Sequence, residues 1–160
     1  MLKREVRIKE VLSFNSGEVQ FAIPLKYVDK VIAAQEVTPV EKETDYIRGI
    51  IDLRGEIVPV LSLRRKFNIE EREIRSGDKF VILFFLNSKI ALIAEDNCDI
   101  ISIPDESIKD IKTIFNGLSS VKLVNGKTGI MYIYDPETFL SKDESIEVTE
   151  LSGRSIKNSI

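Results

Sequence analysis

The 160-residue chain contains no histidine and only one cysteine, Cys98. The first absence excludes the most chemistry. Histidine is the commonest general base and metal ligand near neutral pH. Without it, Ser-His and Cys-His nucleophile pairs are ruled out, and so are ordinary zinc sites. A single cysteine cannot form an intrachain disulfide, which fits a reducing compartment. Long hydrophobic runs are also missing. The longest, residues 80–86, falls far short of the roughly 20 apolar residues that a membrane-spanning helix needs. The first ten residues alternate charges and lack the apolar stretch of a signal peptide. Nor is there an excess of positive charge. The balance of 23 Lys+Arg against 26 Asp+Glu leaves −3, with no bulk attraction for a phosphate backbone. The expectation is a cytoplasmic protein with no cofactor, no metal, no nucleic-acid partner and no membrane insertion.

What the chain does hold is strand signal. Apolar residues make up 43% and charged residues 31%, a globular balance at a length that needs no disulfide or metal staple. Val19, Phe21 and Ile23 alternate with Gln20 and Ala22, the period of a half-buried strand. Ser16-Gly17 separates them from the apolar run 11–14 and predicts a hairpin. A short helix-like turn over 25–29 leads into a strand at 30–34. Strands at 49–53 and 57–61 flank a turn at Arg54-Gly55, and strands at 79–86 and 89–94 flank Asn87-Ser88. Asn125-Gly126 is the strongest turn signal, because both residues tolerate the positive φ of a type I′ hairpin. Asp135-Pro136 opens a helix-like segment ending near Leu140, and residues 141–160 form a polar tail.

The two halves look alike. Each runs through a hairpin, an element beginning at Asp29 or Asp99, a glycine entry at Gly49 or Gly117, a glycine-turn hairpin, and a short turn ending at Phe67 or Leu140. Duplication and chance similarity among β-rich segments both remain open. Either way the pattern predicts five strands per half, each half closing into a small barrel without exposed edges. The first barrel is expected over residues 9–68 and the second over 79–140, as one domain spanning 9–140.

The stretch from Tyr46 to Val60 carries a more specific signal. It reads Tyr46-Ile47-Arg48-Gly49-Ile50-Ile51-Asp52-Leu53-Arg54-Gly55-Glu56-Ile57-Val58-Pro59-Val60, followed by Leu63-Arg64-Arg65-Lys66-Phe67. This resembles the signature of the CheW-like family: an apolar-x-Gly entry, Asn-Leu-Arg-Gly, an apolar-Pro-Val strand and a Leu-Arg-x-x-Phe turn. Phe21-Ala22-Ile23-Pro24-Leu25, with Val28 and Val31, resembles the strand and turn that precede it. The resemblance extends over residues 11–140. It implies an all-β fold of two SH3-like five-stranded barrels packed as one unit, and a non-enzymatic adaptor in chemotaxis signalling. The partners it implies are the cytoplasmic tip of chemoreceptors and the regulatory domain of a CheA-type histidine kinase, with recruitment to membrane-associated receptor arrays.

On that resemblance, the receptor-binding residues are expected to be Val28, Val31, Ile32, Gly49, Arg54 and Gly55. A receptor tip is a helical hairpin, so the expected mode is an amphipathic helix in an apolar groove. Gly55 is expected to take positive φ and present the Arg54 guanidinium to a carboxylate or carbonyls. Arg54 capping local carbonyls, Gly49 as a strand-entry glycine and Val28, Val31 and Ile32 as core are the plainer alternatives. Phe80, Ile82, Ile90 and Leu92 are the expected kinase-binding face, with Val81, Leu83 and Phe85 turned to the core. Where the family commonly has glutamate, the chain has Lys30; Asp52, Ser62 and Glu95 also depart from its pattern. These departures leave open a divergent paralogue serving another kinase pathway. Acid–base work by Asp52, Glu56, Glu95 or Asp96 and single-strand nucleic-acid binding by a small barrel are the other classes weighed.

Overall fold

The computed structural model describes residues 8–41, 46–85, 87–104, 109–110, 121–126, 129–134 and 136. β1 (Ile8–Ser16) and β2 (Val19–Pro24) form the first hairpin, with Gly17 at φ +63° in the turn. Register pairs Leu12 with Ile23 and Phe14 with Phe21, and these four share one face. Val11 and Ala22 belong to a different core on the other face, as period-2 alternation requires. A single 3-10 turn (Leu25–Tyr27) leads into β3 (Val28–Ala33). β4 (Ile47–Leu53) and β5 (Glu56–Leu61) form the next hairpin, followed by the one-turn helix α1 (Leu63–Lys66). The Ser62 hydroxyl caps α1 by accepting from the Arg65 N–H at 3.3 Å. Then come β6 (Lys79–Phe85), the 17-residue β7 (Ser88–Pro104), β8 (Lys109–Asp110), β9 (Val121–Gly126) and β10 (Gly129–Tyr134).

These strands make one hydrogen-bonded sheet that curls into two SH3-like halves. In the first half β3, β6, β7, β5 and β4 are successive neighbours. The segment after β3 closes the ring: Thr38 and Ile50 exchange backbone hydrogen bonds, both 2.9 Å. Inside lie Ile51, Val58, Val60, Phe80, Ile82, Ala91 and Ile93. The second half runs from the far part of β7 through β1, β2, β10 and β9 to β8, around Val11, Ala22, Ile103, Met131 and Ile133. A third and larger cluster joins the halves, with Phe14, Phe21 and Tyr134 from one side and Leu63, Phe67, Leu83 and Leu92 from the other.

Two expectations need correction. The halves do not divide between residues 68 and 79. β1 and β2 belong with β10, while β6 and the start of β7 complete the first barrel. The reason is β7. It pairs with β6 as far as Ala94 and with β1 from Glu95 onward, bending at Asp96, whose φ is +63°. The second correction concerns Asn125-Gly126, which does not turn the chain. Asn125 pairs with Ile130 and Gly126 with Gly129, so the connection falls two residues later, outside the described residues. The helix-like segment after Pro136 and the 141–160 tail also lie outside them. Among the described residues no helix is long and apolar enough to cross a membrane.

Candidate functional site

The β4–β5 hairpin is the most unusual piece of backbone. Leu53 pairs with Glu56, leaving a two-residue loop in which Arg54 has φ +51° and Gly55 φ +91°. Positive φ at both central positions makes this a type I′ turn, which favours Asn, Asp or Gly at the first of them. Gly55 meets the demand without cost, having no Cβ. Arg54 does not, and a left-handed conformation costs such a residue roughly 1 kcal/mol. Asp52 holds the turn by accepting the Gly55 N–H at 2.6 Å. Arg54 is exposed and makes no hydrogen bond or ion pair among the described residues. Its guanidinium is therefore not spent on local carbonyls.

The neighbouring charges are organised around Lys89. Its ammonium lies 3.5 Å from Asp29 at the start of β3 and 3.2 Å from Glu56 at the start of β5. The Glu56 carboxylate, then burial acting in the opposite direction and the charge of Asp29, leave the Lys89 pKa raised. A second tie joins the end of the β3 segment to the hairpin, with the Gln35 side-chain amide donating to the Asp52 carbonyl at 3.4 Å. Residues 29–35 are thus pinned at both ends to the hairpin that carries Arg54.

Along that stretch the three apolar candidates part company. Val28 is half-buried against the core between the halves, and Ile32 packs on the barrel core. Val31 is 37% exposed. The opposite facing of Val31 and Ile32 is as alternation requires. Gly49 is buried, and its reason is steric. An added Cβ would lie 2.3 Å from the Thr38 carbonyl oxygen and 2.6 Å from Val37 Cγ1, at φ +157°. Gly49 is where β4 crosses the segment that closes the barrel, so it cannot offer a side of itself to a partner.

Phe80, Ile82, Ile90 and Leu92 are each 0% exposed and do not form a surface. Phe80 and Ile82 fill the barrel, while Ile90 and Leu92 belong to the core between the halves, together with Val81, Leu83 and Phe85. Both faces of β6 find burial inside the molecule. The residue that escapes is Phe84, two past Ile82 on the same face, and 52% exposed. Its register partner is Lys89, which sets this ring beside the Asp29–Lys89–Glu56 cluster at the end of the barrel. Nothing in the apolar run 80–86 singles Phe84 out; only the place where the barrel ends does.

A polar network lies at the waist, where the halves meet. The Glu95 carboxylate accepts from Arg64 Nε at 2.7 Å and Arg64 Nη2 at 2.8 Å. It also accepts from Arg72 Nε at 3.0 Å and the Gly17 N–H at 3.1 Å. Arg72 in turn forks onto both oxygens of Asp78, at 2.9 and 2.8 Å. Glu71 joins Arg48 at 2.7 Å, Arg65 at 2.6 Å and the Ser62 hydroxyl at 2.9 Å. Burial alone would raise the Glu95 carboxyl, but the hydrogen bonds from Arg64, Gly17 and Arg72 outweigh it and hold its pKa at about 2. Asp78 is lowered in the same way: Arg72 and the Arg75 N–H overcome its burial. A carboxylate so held is no base near neutral pH. Glu95 instead ties the β1–β2 turn, α1 and the 70–78 segment to the bend of β7. Sequence reading missed this network because its members come from five separate segments.

Comparison with known proteins agrees with this architecture. The CheW-like domain family matches residues 10–144. The chain is 26% identical over 149 residues to the chemotaxis protein CheW of Treponema pallidum, covering 89% of this chain and 88% of that one. It is 31% identical over 112 residues to the chemotaxis protein CheW of Thermotoga maritima, covering 64% and 74%. Among solved structures, the scaffolding protein CheW of Thermoanaerobacter tengcongensis superposes with a TM-score of 0.74 at 22% identity, over 86% of this chain and 96% of that one.

Proposed function

The chain belongs to the CheW-like family of chemotaxis adaptors, and from that premise we propose that it couples chemoreceptor tips to the regulatory domain of a CheA-type histidine kinase. It does so without chemistry of its own, in the cytoplasm, as part of receptor arrays at the membrane. Arg54 carries this reading. A cation is held at the tip of a hairpin in a backbone conformation that disfavours it, exposed, with no partner among the described residues. Strain kept without an internal reward is the mark of a residue held for an external one.

The receptor face comprises Arg54 and Gly55 with exposed Val31 and half-buried Val28, against which an amphipathic helix can lie, while Ile32 backs the strand from the barrel core. Gly49 serves that face indirectly, by closing the barrel that supports the hairpin. For the kinase face, Phe84 takes the place of the four buried residues. An exposed aromatic ring bordered by ion-paired charges has the make-up of an interface hot spot. Holding both partners raises their effective concentration toward each other and fixes their geometry. Isothermal titration of the full chain with a receptor-tip hairpin and with the kinase regulatory domain tests this. Dissociation constants in the micromolar range are expected for both; no heat with either refutes the reading.

A further inference from the structure

At the receptor face the acidic side chains of Asp29, Asp52 and Glu56 are committed, and two of the basic ones are not. Asp29 and Glu56 share Lys89. Asp52 accepts the Gly55 N–H. Glu36 lines a cleft with Arg48, Glu73 and Arg75. Lys30 and Arg54 are both exposed, and neither side chain has a hydrogen bond or ion pair among the described residues. The ties from Asp29 through Lys89 to Glu56, and from Gln35 to Asp52, keep β3 alongside the hairpin, so the two cations share one end of the barrel.

We infer that this face selects a helical hairpin carrying carboxylates where it meets Lys30 and Arg54, and discriminates against hairpins that are neutral or basic there. This rests on the receptor-coupling reading and adds the charge of the receptor. Counted as formal charge the patch is balanced, Lys30, Arg54 and Lys89 against Asp29, Asp52 and Glu56. It therefore exerts little long-range pull. The selection acts at contact, through charge-assisted hydrogen bonds from the two free donors. Removing them speeds dissociation and changes the association rate little.

The test uses the full chain and two versions of one chemoreceptor-tip hairpin: one with its exposed tip Glu and Asp residues intact, one with them changed to Gln and Asn. Exposed pairs of this kind are worth about threefold to tenfold in affinity together. The wild-type chain is expected to bind the acidic hairpin tighter by that factor, with the difference in the dissociation rate. Lys30→Gln reduces the preference, and Lys30→Glu abolishes or inverts it. Because Lys30 is exposed on β3, both variants keep the wild-type melting temperature. Equal binding of the two hairpins by wild type, or a preference that Lys30→Glu leaves unchanged, overturns the inference and leaves the adaptor reading standing. Binding of neither hairpin overturns both.

Discussion

Replacing Glu95 with glutamine removes one charge and leaves the shape of the side chain. The carboxylate receives four hydrogen bonds, three of them from the guanidinium groups of Arg64 and Arg72, and its side chain is 9% exposed. Glutamine keeps one acceptor oxygen and turns an NH2 group toward an arginine. Breaking a fully buried ion pair from one side costs roughly 3–5 kcal/mol. Here Arg72 retains its fork onto Asp78 and Arg64 retains the Glu70 carbonyl, so about 2–4 kcal/mol is expected. The titration gives an independent figure. A carboxyl held at about 2 in the fold, against an ordinary value of 4.5, corresponds to roughly 3 kcal/mol. Because the folded value is the lower one, this stability is complete above pH 4.5 and is lost as pH falls toward 2. Urea unfolding followed by circular dichroism at pH 7 and at pH 3 measures both. Glu95→Gln is expected to lose about 3 kcal/mol at pH 7, a drop of roughly 6–12 °C in melting temperature for a chain of this size. At pH 3 the gap to wild type should be much smaller. A loss under 1 kcal/mol at pH 7, or a gap that persists undiminished in acid, refutes the network as described.

Four further substitutions separate folding from docking. Gly49→Ala should destabilise by about 2–4 kcal/mol, because the new methyl meets the Thr38 backbone, which cannot yield without opening the barrel. Lost partner binding in that variant would then track its unfolding in denaturant melts. Arg54→Gly should do the reverse, gaining about 0.5–1 kcal/mol by relieving the left-handed arginine while losing receptor binding; a variant that binds as wild type does would remove Arg54 from the site. Phe84→Ala should cost less than about 1 kcal/mol in stability yet weaken binding to the kinase regulatory domain. Phe80→Ala, four residues away and wholly buried, should cost about 3–5 kcal/mol. Equal stability losses for the two phenylalanines would contradict the burial seen here.

How much of this was legible follows from which interactions are local. The β4–β5 hairpin could be read because a two-residue turn imposes its φ angles on the residues that form it, and Gly55 announces one of them. The Thr38–Ile50 closure could not, since it joins a segment without strand alternation to a strand twelve residues on. β6 misled in an instructive way. An unbroken apolar run from Phe80 to Phe85 says that both faces are buried, not what buries them. The run leaves either the opposing barrel or a partner to cover the second face; the structure supplies the barrel interior on one side and the core between the halves on the other. Glu95-Asp96-Asn97 reads as polar loop chemistry at the end of a strand. It lies within β7 because two arginines from the 62–78 stretch neutralise Glu95 there, a fact that no local pattern carries. Asn125-Gly126 has the composition of a type I′ turn and is instead paired along its length, so register overrode propensity.

We propose that one molecule of this protein bridges a chemoreceptor tip and the kinase regulatory domain. Sedimentation of receptor-tip assemblies with the kinase regulatory domain, across a range of concentrations of this chain, tests it most directly. Kinase recruitment should be absent without the chain and rise as it is added. Recruitment should then fall when excess adaptor occupies each partner separately, and both Arg54→Glu and Phe84→Ala should flatten the curve. Recruitment that is independent of the chain, or absent at every concentration, would contradict it.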